Sequence, residues 1–229
     1  MSPPRLTSSL LIISLLSTLF FGCSSSREPE YPTHLIGAYI PASNLGISID
    51  QSLIVPYRTY SRKYRRKMRP RYITIHSTQN RAYSADARMH AIALNRGRLR
   101  SRNNSLGYLS WHYTVDESVI YQSLPDNEQG QHADYEGPGN RYSIGIEMCE
   151  NRGNSRNMTL DRTARLVAYL MRKYRIPLEN VVPHQHWRMV RYSDGKDLGY
   201  KNCPHFLMDS NGQPGVKWYT FKQHITKYL

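Results

Sequence analysis

Residues 143–149 read Ser-Ile-Gly-Ile-Glu-Met-Cys, and this alternation restricts what the chain can fold into. Ile144, Ile146 and Met148 share one face of a strand, while Gly145, Glu147 and Cys149 share the other. A carboxylate in so apolar a strand is costly unless it is paired or used. Gly145 beside it leaves room for a close approach to the backbone. A second strand covers 71–76. There Tyr72, Thr74 and His76 point one way and Ile73 and Ile75 the other. His76 ends that strand, where ligands gather in open α/β sheets.

The remaining elements follow from periodicity and caps. Residues 109–115 and 119–124 predict two strands joined by Asp116-Glu-Ser as a hairpin. Short strands are also expected at 45–49 and 52–56. Ser84, with Asp86 in the first turn, predicts a helix to about residue 96. Thr159 predicts the cap of a second helix whose apolar stripe is Leu166, Val167, Leu170 and Met171, stopped by Pro177. A short strand at 181–182 leads to His184, and a last helix is expected over 216–228. The class is α/β, a single domain with a central mixed β-sheet flanked by helices, over 71–229.

The N-terminal residues are expected to lie outside that domain. Arg5 precedes a mainly apolar run at 10–21, twelve residues long. As a helix it would span about 18 Å, short of a hydrocarbon core, so it reads as a signal-peptide segment. Gly22-Cys23 then resembles a bacterial lipoprotein processing site, with a signal peptide at 1–22 and lipidation at Cys23; the bland alternative is a secreted chain with an incidental cysteine. Residues 23–40 read as a tether. Residues 41–70 read as a basic N-terminal extension. The run 57–71 holds eight Lys or Arg and three Tyr, either a polyanion contact or a solvated segment. The net charge of +14 points to an anionic partner or surface.

The densest chemistry lies late in the chain. Val181-Val-Pro-His184-Gln-His186-Trp is followed by Gly199-Tyr-Lys201-Asn-Cys203-Pro. Thiolate and neutral imidazole are good zinc ligands. A site of His76, His184 and Cys203 holding one Zn2+, with one position open, is the expectation, and an open position marks a catalytic site. His186 is the alternative to His184. Glu147 suits a general base, and the Lys201 ammonium suits a developing oxyanion. A disulfide between Cys149 and Cys203 is the competing use of that sulfur, with Cys149 otherwise a small core residue. His112 reads as a satisfied strand histidine.

In series, Ile75-His76-Ser, Ser110-Trp111-His-Tyr-Thr-Val-Asp, Ile120-Tyr-Gln, Pro125-Asp-Asn-Glu, Gln131-His132-Ala, the stretch 140–147 and Lys201-Asn-Cys203-Pro resemble a known family. The chain is similar over about residues 70–210 to the zinc-dependent type 2 N-acetylmuramoyl-L-alanine amidases, which include phage and bacterial cell-wall amidases and the peptidoglycan recognition proteins. The resemblance implies zinc ligands at His76, His184 and Cys203, a catalytic glutamate at Glu147 and an oxyanion lysine at Lys201. It also implies substrate contacts at His132 and Trp111. It implies cleavage of the amide between N-acetylmuramic acid and L-alanine, in peptidoglycan or muropeptides. One departure stands out: eighteen residues separate His184 from Cys203, where the family usually has fewer than ten, so the segment 188–199 is expected as a loop beside the metal.

These features predict a monomeric, exported enzyme, lipid-anchored on the periplasmic side, with no nucleic-acid partner. The lack of an acidic residue directly after Cys23 points to the outer membrane in a diderm. The alternatives are a non-catalytic peptidoglycan-binding protein and a nucleic-acid binder working through the basic run.

Overall fold

The computed structural model describes residues 38–101 and 105–229. The expected signal peptide, Cys23 and all but the last residues of the tether lie outside the described residues. Among the described residues the elements are β1 (Ile49–Asp50), β2 (Tyr72–Ser77), α1 (Ala87–Asn95), β3 (Tyr113–Val115), β4 (Ile120–Gln122), α2 (Pro138–Tyr142), β5 (Ser143–Met148), α3 (Arg156–Tyr174), β6 (Val181–Pro183), β7 (Arg188–Val190), β8 (Asp197–Tyr200) and α4 (Val216–Thr226). No described helix is long and apolar enough to cross a membrane.

Six strands form one mixed sheet in the order β1-β4-β3-β5-β2-β6. β2 runs parallel to β5 and β6, β3 runs parallel to β5, and β4 turns back antiparallel to β3. The result is the α/β architecture expected from the alternation of strands and helices.

Strand alternation decides which face packs on the main core and which carries the polar side chains. Ile73 and Ile75 of β2, Ile144, Ile146 and Met148 of β5, and Tyr113 and Val115 of β3 face the main core. Leu166, Val167, Leu170 and Met171 of α3 cover them, with Trp218, Phe221 and Ile225 of α4 behind. Each such side chain, fully buried, contributes about 1.5–3 kcal/mol. On the opposite face α1 lies over β3 and β4, with Ala87 and Ala91 against Tyr121 and Cys149.

Several element boundaries differ from expectation, each for a local reason. α1 is capped by Asp86, not Ser84, because its carboxylate accepts the Met89 amide at 2.8 Å. α3 begins at Arg156 under Ser155; the Thr159 hydroxyl donates back to the Ser155 carbonyl at 3.0 Å instead of capping. The strand expected at 109–115 is shortened because Leu109 and Ser110 leave the sheet to pair with Leu99 and Gln131. Of the two early strands, only Ile49–Asp50 pairs, on the free side of β4.

Residues 41–70, expected as a separate basic extension, fold onto the domain. Besides the β1 edge, Val55 and Met68 are buried. Arg62, inside the basic run, is itself buried. It grips Glu128 with two parallel bonds of 2.8 Å and donates to the Val55 carbonyl. A bidentate pair fixes direction as well as distance, so the run is held in place, not merely solvated.

A second polar knot ties α3 to the sheet. The buried Asp126 carboxylate accepts from Tyr113, Gln122, Tyr174 and Lys173, the last at 2.9 Å. Asp126→Ala strands these donors and should lower stability by about 2–4 kcal/mol in urea unfolding, whereas Tyr113→Phe, removing one neutral donor, should cost about 1 kcal/mol.

Candidate metal centre

The C-terminal ends of β2, β5 and β6 converge on one place. In the β2–β5 register Thr74 lies beside Gly145 and His76 beside Glu147. β6 ends at Pro183, and the chain turns at once into a short 3-10 helix, His184–His186. Cys203 follows β8, and its carbonyl accepts the Gln185 amide at 3.0 Å, fastening the two segments together.

His76, His184 and Cys203 are buried, and one ligand atom from each lies within 4.8 Å of the others. His186 is exposed and outside this group. Both Cys203 and Cys149 are free thiols, so the disulfide alternative is not formed.

The surrounding hydrogen bonds orient these imidazoles, with tautomers assigned from the network. His184 donates from Nε2 to the Ala133 carbonyl at 3.2 Å. His132 donates from Nε2 to the Ser143 carbonyl at 3.3 Å, which frees its Nδ1 to accept from His76 Nε2 at 3.0 Å. The nitrogens left over are Nδ1 of His76 and Nδ1 of His184. They face each other at 2.9 Å, both as lone pairs. Two acceptors so placed repel, and a shared cation reverses the sign. The donor set of two imidazoles and one thiol is the kind zinc takes, at N–Zn distances of about 2.0–2.1 Å.

Electrostatics agree with that use. Burial holds His76 and His132 well below the ordinary histidine value. Burial, reinforced by Lys201, lowers His184 to about 3. The rings are therefore neutral at pH 7, as ligands must be. The Cys203 thiol, pushed up to about 12 by burial and then by Glu147, accepts from the Ser77 amide at 3.4 Å. A cation is what would draw off its proton.

Glu147 stands at the edge of this group, its Oε1 at 3.9 Å from His76 Nδ1. Its Oε2 is buried and has no hydrogen-bond partner. Burial raises the carboxyl to about 7, with Lys201 opposing and Glu150 adding to the rise. Glu147 and Lys201 line one cleft of about 430 Å³ with Ser77, Met89, Leu99 and Trp111.

The two residues expected to touch substrate part company. Trp111 lines that cleft, its indole nitrogen donating to Thr114 at 2.7 Å. His132 is turned inward with both ring nitrogens engaged, and it orients His76 instead of reaching outward. Its ring lies on Gly145, where an added Cβ would come within 2.8 Å of it, so Gly145 makes room for His132 and not for a ligand. His112 is fully buried, accepting the Gly145 amide and bonding the Glu128 carbonyl, as a satisfied histidine should.

Sequence reasoning missed the residues that hold the His132 loop. Asn140 Oδ1 accepts the amides of His132 and Ala133, while Asp134 accepts those of Gly139 and Asn140. A clue was present in Asp134 and Asn140 flanking Gly137-Pro-Gly139, a composition that favours side chains turned back onto the backbone.

A family model for N-acetylmuramoyl-L-alanine amidase matches residues 66–206. The chain is similar to the Bacillus subtilis amidase CwlH, at 44% identity over 144 residues, covering 62% of this chain and 50% of that protein. It is similar to the amidase XlyA of the same organism, at 42% identity over 159 residues, covering 69% and 45%. The solved catalytic domain of XlyA superimposes with a TM-score of 0.63 at 38% identity, covering 78% of this chain and 99% of that one. The chain thus spans about half the length of the curated relatives it matches, though nearly all of the solved domain. With the match extending over more than half of its residues, and with the fold and the histidine–cysteine cluster above, this chain belongs to the N-acetylmuramoyl-L-alanine amidase family.

Proposed function

We propose that the chain is a zinc-dependent N-acetylmuramoyl-L-alanine amidase that hydrolyses the bond between N-acetylmuramic acid and L-alanine in peptidoglycan or muropeptides. The observation that carries this is the pair of facing Nδ1 lone pairs at 2.9 Å, with a thiol and an unpartnered carboxylate oxygen beside them.

His76, His184 and Cys203 would hold the metal. Zinc in such a site polarises a carbonyl and lowers the pKa of water. The protein's own groups do the rest. Glu147, with its carboxyl near 7, takes a proton from the attacking water and delivers it to the departing L-alanine nitrogen. The water oxygen joins the lactyl carbonyl carbon as the C–N bond breaks. The Lys201 ammonium, in the same cleft, balances the charge that collects on the carbonyl oxygen. Trp111, Met89 and Leu99 give the cleft an apolar wall. His132 holds the His76 ring in one orientation, a role whose loss typically costs metal sites 10–100-fold in affinity or activity.

The same reading places the protein outside the cytoplasm, anchored through lipidated Cys23, with zinc and peptidoglycan as its partners. The apolar run 10–21 and the Gly22-Cys23 junction support it.

Purified protein should contain about one zinc per chain by elemental analysis and release stem peptides from sacculi, detected by mass spectrometry; chelation should stop release. Glu147→Gln should keep its zinc and lose about 10²–10⁴-fold in rate, and wild-type rate in that variant would remove Glu147 from the chemistry.

Glu147 also carries a stability signature in chelated protein. Unfolded, its carboxyl titrates near 4.5; folded, it titrates near 7. Between those values the folded state binds more protons, so stability falls as pH rises, with the full penalty above 7 and none below 4.5. Chelated Glu147→Gln should therefore exceed chelated wild type by roughly 1–3 kcal/mol at pH 8 and match it at pH 4, by denaturant melts.

A further inference from the structure

Two segments remain without a role: the basic run at 57–71 and the insertion at 188–199. Both contribute to the lining of one cleft. This second cleft, of about 370 Å³, is lined by Lys63, Tyr64 and Arg66 of the first and by Tyr192 of the second, together with Arg100 and Tyr108. Its size falls within the roughly 300–1,000 Å³ of small-ligand sites. Tyr60, Lys63 and Tyr64 precede the family match, which begins at residue 66.

The wall between the two clefts is a thin antiparallel ribbon. Leu109 donates to Leu99 at 2.8 Å, Ser101 donates to Gly107 at 3.0 Å, and Arg100 opposes Tyr108. Alternation sorts its side chains. Leu99, Leu109 and Trp111 line the cleft that holds Glu147. Arg100, Tyr108 and Ser110 line the second. The clefts share no lining residue and lie one ribbon apart.

The second cleft is aromatic and cationic. Tyr60 stacks on Tyr108 with centroids 5.3 Å apart, and the Arg100 guanidinium lies 4.1 Å over the Tyr108 ring. Tyr64 and Tyr60 are 68% and 57% exposed. The acid in the lining, Glu136, is already held by Arg66 at 2.7 Å and by Arg141. The buried Arg62–Glu128 pair fixes the basic wall before any ligand arrives, which lowers the cost of binding.

We propose that this second cleft holds the glycan strand flanking the unit being cleaved. Tyrosine rings lie against the apolar faces of pyranose rings, and their hydroxyls reach the sugar oxygens. The Lys63 ammonium, which also lines the cleft, meets a carboxylate of a neighbouring stem peptide. The inference rests on the amidase reading of the first cleft, and it makes the enzyme one that prefers polymer over single muropeptides.

The test uses the whole protein in two assays: co-sedimentation with purified sacculi, and hydrolysis of a soluble disaccharide-peptide. The variants are Lys63→Ala/Tyr64→Ala in the basic run, Tyr192→Ser in the insertion, and Lys217→Ala, which removes an exposed charge from α4. Each wall variant should weaken sacculus binding about tenfold while soluble turnover stays within about twofold of wild type, and Lys217→Ala should change neither. Sacculus binding at wild-type strength in both wall variants overturns the proposal, as does an equal loss in both assays. Wall variants that lose salt-sensitive affinity for duplex DNA but keep sacculus binding would give the cleft to nucleic acid and overturn it as well. If sacculi and the soluble substrate both go uncleaved while the wall variants still lose sacculus binding, the amidase reading fails and the glycan cleft stands.

Discussion

The pairing of β2 with β5 in parallel, and in one register, is the constraint on which the site depends. It sets Thr74 beside Gly145 and His76 beside Glu147 on the face away from the main core. A slip of one residue in either strand would turn its imidazole or its carboxylate into the apolar layer beneath α3. The register is secured from both sides. Below, five apolar residues of the two strands pack on α3. Above, the hydroxyls of Thr74 and Ser143 bond each other, and the Trp187 indole donates to Thr74 at 2.8 Å.

What rises from that register is a set of polar groups that folding alone leaves ill-matched. Three buried imidazoles meet edge to face, two lone pairs oppose each other, a thiol is held in its protonated form, and a carboxylate oxygen goes unpartnered. A domain selected only for stability would not keep them, since each is costly when buried without a partner. The cost is carried by ordinary features elsewhere: the α3 core, the four-donor knot at Asp126 and the Arg62–Glu128 pair. Local conflict set in an otherwise consistent fold is the physical mark of a functional site.

Much of this was legible in the residues themselves. The odd–even pattern of 71–76 and 143–149 separated the packing face from the face that carries His76 and Glu147, and His76 at its strand end does lie beside His184 and Cys203 of the late cluster. The choice between His184 and His186 was open in the sequence, and the turn after Pro183 buries the first beside His76 and Cys203 while it exposes the second. The inward turn of His132 was not legible, since it depends on Asn140 and Asp134 folding a loop whose spacing carries no period. Nor was the packing of 41–70. A charge run is usually solvated, and one buried arginine among eight cations cannot be told apart without its distant partner Glu128.

The long stretch between His184 and Cys203 folds as the β7–β8 hairpin, not as a loose loop. Its two ends are fastened by the Gln185–Cys203 backbone bond, and its far end turns through Asp194 and Gly195. Sequence separation between nitrogen and sulfur is thereby uncoupled from their separation in space. Residues added or removed at the tip would travel outward along the ribbon and leave the imidazole and the thiol at its base where they stand.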